Sequence, residues 1–213
     1  MKLKSILLAA TASVLATTGA NAAVATFDLT GDGRNIGPSF TFVYGSRSLT
    51  ATAINAEAPP TPQLHQNSFG LGVNLGVGDA NQLDSIDDDE AIVFDAGHIA
   101  TYSDITLSRA SMTDQYLIYG TNDASILSIA AGGLSAITSI STLVASGVGV
   151  GGSVTVDLDA AFRYLIATLP SGSDSRFRVS SVSTAVPLPG ALPFMATALV
   201  GAAAARRRKK AAI

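Results

Sequence analysis

Strict alternation of apolar and polar residues recurs along the middle of the chain and predicts half-buried β-strands. The clearest alternating runs are 40–44, 69–77, 104–108, 154–159 and 176–180, and shorter β-rich runs lie at 91–95, 116–120 and 164–169. No segment shows a convincing apolar stripe at the helical period over three turns. Residues 135–150 are ambiguous, because they are apolar but rich in Ser, Thr and Gly. The pattern therefore predicts an all-β body.

Turn-forming residues separate these runs. The strongest turn signals are Thr-Gly-Asp-Gly at 30–33, Ala-Pro-Pro-Thr-Pro at 58–62, Thr-Asn-Asp at 121–123 and Ser-Gly-Ser-Asp at 171–174. Eight to eleven short strands with this spacing are typical of an antiparallel β-sandwich. We expect a jelly-roll-like sandwich over residues 23–185.

Glycine occupies every second position from Gly70 to Gly78, apart from Asn74. A row of glycines on one face of a strand packs nothing by itself, so another backbone or a ring can lie against it. The alternative is a weak edge strand, and the sequence favours neither interpretation.

The first 22 residues predict a secretory signal peptide that the Sec machinery would export. Lys2 and Lys4 form its basic region, and an apolar run from residue 6 to about 16 follows. Ala20-Asn21-Ala22 is a small-x-small cleavage site, which makes Ala23 the expected mature N-terminus. A retained N-terminal anchor is the less favoured alternative, because the apolar run is short and contains Thr and Ser.

The last 28 residues, 186–213, combine three features in order. Val186, Pro187, Leu188, Pro189 and Gly190 form a proline motif that keeps the backbone extended. Residues 188–205 are uncharged, about the minimum for a membrane-crossing helix. The basic cluster Arg206, Arg207, Arg208, Lys209 and Lys210 is expected to remain cytoplasmic within the basic end 206–213. An ordinary tail anchor is the alternative, but it would not need the proline motif.

This order resembles the PEP-CTERM class of sorting signals, in particular the variant with a Val-Pro-Leu-Pro-Ala motif. Gly190 replaces the usual alanine, and no Glu lies between the prolines. The resemblance implies that an exosortase cuts near the motif of an inner-membrane intermediate in a Gram-negative bacterium. It also implies a final location at the cell surface or outside the cell. Residues 70–94 resemble a segment of exported β-sandwich bodies that carry such tails.

The charge of the body differs from that of the whole chain. All sixteen acidic residues lie in the body, together with only six arginines and no lysine, so its net charge is −10 while the chain carries −3. This acidity disfavours nucleic acid as a partner. The chain has no cysteine, so the exported body must depend on its core or a bound metal.

No catalytic constellation stands out, and we expect a non-enzyme. There is no Cys nucleophile and no Gly-x-Ser-x-Gly elbow. His65 and His98 share no metal-ligand motif and are expected to be surface or loop residues. A glycosidase needs two carboxylates across the scissile bond, and nothing in the sequence selects a pair.

A dense acidic segment is a candidate calcium site. It contains Asp79, Asp84, Asp87, Asp88, Asp89 and Glu90. Ca²⁺ takes six to eight oxygen ligands, which such a loop can supply, although the spacing does not match an EF-hand. The alternative is a solvated loop whose charge aids solubility. Asp28, Asp32 and Asn35 form a second, weaker candidate.

The sequence thus favours an exported surface or extracellular-matrix protein associated with exopolysaccharide in a biofilm. The first alternative is a calcium-dependent carbohydrate-binding or adhesion module, and the second is a secreted hydrolase. Sugar binding favours exposed aromatic rings, but the body has no Trp, and most of its five tyrosines lie in apolar runs typical of a core.

Overall fold

The computed structural model of the chain describes residues 23–55, 61–84, 90–128 and 133–186. Residues 23–186 form one compact unit. The predicted signal peptide, with Ala20 and Ala22, and the predicted sorting signal from Pro187 onward lie outside the described residues. The first and last described residues are neighbours, because Ala23 pairs with Val186 in adjacent antiparallel strands.

Among the described residues nearly all regular structure is β-strand, and every strand pair is antiparallel. The strands are β1 Ala23–Asp28, β2 Arg34–Asn35, β3 Ser39–Tyr44, β4 Arg47–Asn55, β5 Gln63–Asn67, β6 Gly70–Asn74, β7 Leu83–Asp84, β8 Glu90–Ala110, β9 Gln115–Thr121, β10 Thr142–Val148, β11 Gly152–Thr168 and β12 Arg176–Val186. The helical elements are a 3-10 helix, Ala124–Ser128, and the helix α1, Gly133–Ile140. The predicted all-β antiparallel class is confirmed.

The long strands β8 and β11 run through both halves of the sheet. The first part of β8 pairs with β4 and with the end of β11, whereas its second part pairs with the start of β11 and with β12. Between these parts β8 bulges, because five steps from Asp95 to Ala100 lie opposite two on β11. Gly97 adopts a φ of 76° in this bulge, and its N–H donates to Asp95 Oδ1 at 2.7 Å.

The main apolar core lies between the two halves of the sheet. Its buried side chains come from both, for example Phe94 and Leu165 from one half and Ile105, Phe177 and Val182 from the other. The sheet therefore folds into two layers that face each other across this cluster. The finer jelly-roll assignment stays a prediction.

A second, smaller core covers the other face of the first half. Ile126 of the 3-10 helix and Ile137 of α1 pack with Val93, Tyr164 and Ile166. Strands buried on both faces need apolar residues at successive positions, since neither side meets water. This explains why the runs 91–95 and 164–169 are apolar without alternation.

Two details of the sequence interpretation were wrong or incomplete. The alternating run 69–77 was expected to continue as a strand, but β6 ends at Asn74 and a turn follows. The ambiguous run 135–150 divides into most of α1 and then β10. Within the described parts of the chain, no helix is long and apolar enough to cross a membrane. The span predicted at 188–205 is not among them.

Candidate functional site

A strip of polar side chains lies on the outward face of the β5–β6 hairpin. Leu64 and Val73 are paired across the hairpin and are fully buried, so their neighbours point to the opposite face. The strip consists of Asn35, Gln63, His65, Asn67 and Asn74, and Phe69 lies in the turn at its end. The strand β5 itself, Gln63–Asn67, spans roughly 13 Å. We call this set the polar strip.

The centre of the polar strip is held together by the side chain of Asn35. Its Oδ1 accepts hydrogen bonds from His65 Nδ1 at 2.9 Å and from Asn74 Nδ2 at 3.1 Å. With this amide orientation the imidazole proton is on Nδ1, which leaves Nε2 as an acceptor. Burial, and secondly the charge of Arg178, lower the pKa of His65, so the neutral ring is favoured.

Two glycines of β6 allow close approach on this face. A Cβ atom on Gly70 would lie 2.3 Å from the carbonyl oxygen of Val179, and one on Gly72 would lie 2.4 Å from that of Asn81. The hypothesis that another backbone packs against the glycine row is therefore confirmed at these two positions. Gly76 and Gly78 have nothing within 4 Å of that position and adopt positive φ in the turn after β6.

The side chain of Arg178 and the Asn81–Gln82 backbone both lie against Gly72. A Cβ atom on Gly72 would be 3.1 Å from Arg178 Nη1. The Arg178 residue is only 2% exposed, its Nη1 donates to His65 O at 3.4 Å, and its Nε has no hydrogen-bond partner. Burial, and secondly the charge of Arg109, lower the pKa of Arg178 to about 10, so it remains a cation at neutral pH.

A second arginine lies at the aromatic end of the strip. The guanidinium carbon of Arg109 is 4.7 Å from the centroid of the Phe69 ring, a cation–π arrangement. Ser108 pairs with Arg178 across β8 and β12, and its hydroxyl donates to the carbonyl oxygen of Phe69. Arg109 has a φ of 57° and Phe69 is 48% exposed. The polar strip, with Phe69 and the two neighbouring arginines, thus brings together amides, an imidazole, an aromatic ring and two guanidinium groups.

The candidate calcium residues serve local backbone contacts where they are described. Asp79 accepts from the N–H of Asn81 at 2.7 Å and from that of Leu75. Glu90 is buried and accepts from the N–H of Asp84 at 2.9 Å. No group of three metal-binding side chains occurs in the described ranges, and Asp87, Asp88 and Asp89 lie outside them. The calcium site stays a prediction.

The two histidines and most tyrosines lie where the sequence placed them. His65 is half-buried on a strand surface, and His98 is exposed in the β8 bulge. Tyr102 and Tyr164 are in the core, whereas Tyr44 is 52% exposed on β3.

The polar strip itself was missed by sequence reasoning. Its signal was present in Gln-Leu-His-Gln-Asn at 63–67, where polar residues flank a single apolar one. A single apolar residue does not make an alternating pattern, so this segment was not predicted as a strand.

The comparisons with known proteins leave the family open. No protein-family model matches the chain, and neither does any curated protein. A family 32 carbohydrate-binding module of Clostridium perfringens NanJ, solved with galactose, has a TM-score of 0.36 and 16% identity, covering 63% of this chain and 93% of its own. A chitosan-binding module from a Paenibacillus sp. IK-5 chitosanase/glucanase has a TM-score of 0.36 and 13% identity, and the match covers 62% of this chain and 92% of the module. A family 29 carbohydrate-binding module complexed with mannohexaose has a TM-score of 0.35 and 10% identity, and the match covers 76% of this chain and 91% of the module. TM-scores of this size establish neither a family nor a ligand for this chain.

Proposed function

We propose that this chain is an exported surface or matrix protein whose body binds extracellular polysaccharide without turning it over. The observation that carries the binding proposal is the polar strip with the half-exposed Phe69 ring at its end. None of the strip residues is a carboxylate, and the binding proposal does not include calcium.

The chemistry of the strip suits sugar rings. An amide side chain offers both a donor and an acceptor, so Asn and Gln can bond neighbouring hydroxyl groups at once. The acceptor Nε2 of His65 adds a site for a hydroxyl donor. An aromatic ring such as Phe69 offers an apolar surface on which the C–H face of a sugar can stack. A strand of roughly 13 Å, with Phe69 in the turn beyond its end, can accommodate more than one residue of a sugar chain.

Affinity gel electrophoresis against a panel of neutral and acidic polysaccharides, including host exopolysaccharide, would test this proposal. The expected result is retardation of the body by at least one of them, and a clear loss of retardation in Phe69→Ala. Phe40→Ala is the matched control, because Phe40 is also partly exposed, at 38%, but lies on β3 and is not part of the strip.

Two outcomes would contradict the binding proposal. One is free migration in every gel of the panel. The other is equal loss of retardation in Phe69→Ala and Phe40→Ala, which would remove the polar strip from the interaction. Release of sugar fragments during incubation would instead favour the secreted hydrolase.

Export and sorting belong to the same proposal and rest on the sequence. The bounds of the compact unit, Ala23 and Val186, support it, because they coincide with the expected signal cleavage point and the first residue of the proline motif. We propose that an exosortase removes the tail near Val186–Gly190. Intact mass of the mature protein should show Ala23 at its N-terminus and no basic cluster 206–210. A released form that retains this cluster would contradict the sorting proposal.

A further inference from the structure

The two arginines beside the polar strip, Arg109 and Arg178, differ from Arg163, which is paired with a carboxylate. Arg163 forms a bidentate ion pair with Asp95, with Nε–Oδ1 and Nη2–Oδ2 distances of 3.0 and 3.1 Å. Among the described residues this is the only ion pair. Arg109 and Arg178 therefore have no carboxylate within 4.0 Å in that part of the chain.

Arg178 is the more unusual of the two. Buried arginines are almost always paired, because taking a cation out of water is costly. Its 2% exposed side chain makes one long hydrogen bond, to the carbonyl oxygen of His65, and its Nε makes none. The nearby Asp79 does not neutralise it at contact distance, since its carboxylate accepts from the backbone N–H groups of Leu75 and Asn81.

Arg109, which is exposed, brings a second positive charge close enough to Arg178 to interact with it. Its charge contributes to lowering the pKa of Arg178, so the two cations interact through the protein. The stacking on Phe69 orients the Arg109 guanidinium at the exposed end of the strip. Uncompensated positive charge is thus concentrated where the proposed sugar site has its aromatic ring, in a body that is otherwise strongly acidic.

From this juxtaposition we infer that the polar strip selects polysaccharides that carry carboxylates, that is, uronate-containing chains. This inference rests on the proposed polysaccharide binding. Because the Arg109 guanidinium lies over one face of the Phe69 ring, a sugar that contacts the exposed ring at its edge can bring a carboxylate to this guanidinium, whose planar fork matches a carboxylate bidentately. Arg178 contributes a nearby buried positive charge, without a carboxylate in contact among the described residues, that favours an anion over a neutral group.

The acidity of the body does not prevent this recognition. At physiological ionic strength charges more than about 8 Å apart across solvent are largely screened. A uronate carboxylate in contact with Arg109 therefore depends on the arginines next to it more than on distant aspartates. Long-range repulsion slows the approach of a polyanion, whereas contact affinity depends on the local pair.

The test compares two polymers with the same backbone. The full chain, held in mild detergent, is titrated calorimetrically with polygalacturonate and with its fully methyl-esterified form, which has no charge. We expect the acid to bind roughly 10- to 100-fold more tightly, the range typical of hydrogen bonds to charged groups. Arg109→Gln should bring this ratio close to one. Arg47→Gln, which makes the same charge change on β4, should leave the ratio unchanged.

Arg178→Lys provides the second variant. This variant keeps the positive charge but loses the guanidinium fork. Its thermal unfolding is measured as a check that it folds. We expect it to retain most of the preference for the acid, because Arg178 acts through its charge. Free galacturonate and acetate are added as competitors, and they should displace the polymer only weakly. Strong displacement by either would overturn the inference and indicate a site for small carboxylates.

The remaining outcomes separate this inference from the proposed function. Equal binding of the acid and the ester overturns the uronate inference and leaves polysaccharide binding intact. The same loss of preference in Arg47→Gln and Arg109→Gln also overturns it, since net charge alone would then decide. Absence of binding to either polymer, together with free migration in the panel of neutral chains, contradicts polysaccharide binding itself.

Discussion

Replacement of Gly72 by alanine should destabilise the body by closing the space that Arg178 and the Asn81–Gln82 backbone occupy. The new Cβ would lie 2.4 Å from Asn81 O, 2.8 Å from Gln82 Cα and 3.1 Å from Arg178 Nη1. The arginine side chain can adjust, but the first two atoms belong to the backbone. Gly72 does not have positive φ, so the expected effect comes from steric overlap and not from an unfavourable backbone conformation.

The expected loss of stability follows from the backbone atoms that the new Cβ would displace. The Asn81 carbonyl has to shift by about 1 Å to reach an ordinary contact distance. That shift strains the hydrogen bond from Val73 N to Gln82 O, at 3.3 Å, and disturbs the fully buried Leu83. Overpacking of this kind typically costs about 1–3 kcal/mol. For a domain of this size each kcal/mol lowers the melting temperature by roughly 2–4 °C, so we expect a decrease of about 2–12 °C.

The assay is thermal unfolding of the 23–186 fragment followed by circular dichroism. This fragment contains both apolar cores and every described strand pair. Gly31→Ala is the matched control. Its Cβ would lie 2.5 Å from Gln66 Cδ, in a side chain that can swing away. Gln66 would then lose hydrogen bonds to the carbonyl oxygens of Leu29 and Thr30, so a smaller decrease is expected.

Two results would refute the reasoning about Gly72. One is a melting temperature of Gly72→Ala within about 1 °C of the unaltered protein, which is below the smallest expected effect. The other is a decrease no larger than that of Gly31→Ala. Either would mean that the 79–82 segment does not lie against β6 as the structure shows.

Three further predictions concern pH, an ion pair and calcium. Folding lowers the pKa of His65 below its usual 6.5, so its contribution to stability should be full above pH 6.5 and be lost as the pH falls toward the folded-state pKa. The melting temperature of His65→Gln should therefore fall less over this pH range than that of the unaltered protein. An equal fall in both proteins would contradict the argument. Asp95→Asn removes the ion pair with Arg163, whose side chain is 40% exposed, but keeps an acceptor for the N–H of Gly97. Urea unfolding should therefore show a decrease of only about 0.2–1 kcal/mol in the free energy of unfolding, as for other exposed ion pairs. A decrease above about 2 kcal/mol would show that this pair stabilises the body more than an exposed pair does. If the acidic loop binds Ca²⁺, millimolar calcium should raise the melting temperature relative to chelator, and changing residues 87–89 to Asn should abolish the rise; identical melts would leave a solvated loop.

Local pattern was sufficient to predict strand positions within β3, β6, β8, β9, β11 and β12, but it missed β1, β4 and β5. Phe177 and Val179 alternate with polar neighbours, and both are fully buried on β12. Alternation works because one residue in two faces the core, whatever the partner strand is. The acidic character of the body and the absence of disulfides also follow from composition alone.

Pairing across the sheet could not be predicted in the same way. The neighbours of β8 come from as far apart as β4 and β12, and only the folded chain brings them together. The cover formed by α1 was also missed, because eight helical residues are too few for a clear periodic stripe. With that cover, the strands beneath it are buried on both faces.

Arg178 shows most clearly what the tertiary structure decided. In the sequence it alternates with Phe177 and Val179 and is therefore expected to face solvent on the outer side of the sheet. Alternation puts it on the outer side, but it is only 2% exposed, and its guanidinium and the Asn81–Gln82 backbone both lie against Gly72. Alternation reports which side of a strand a residue occupies, and it contains no information about distant segments that pack onto that side. The absence of a side chain at Gly72 makes this packing possible, and the unpaired cation that it creates is the basis of the proposed uronate preference.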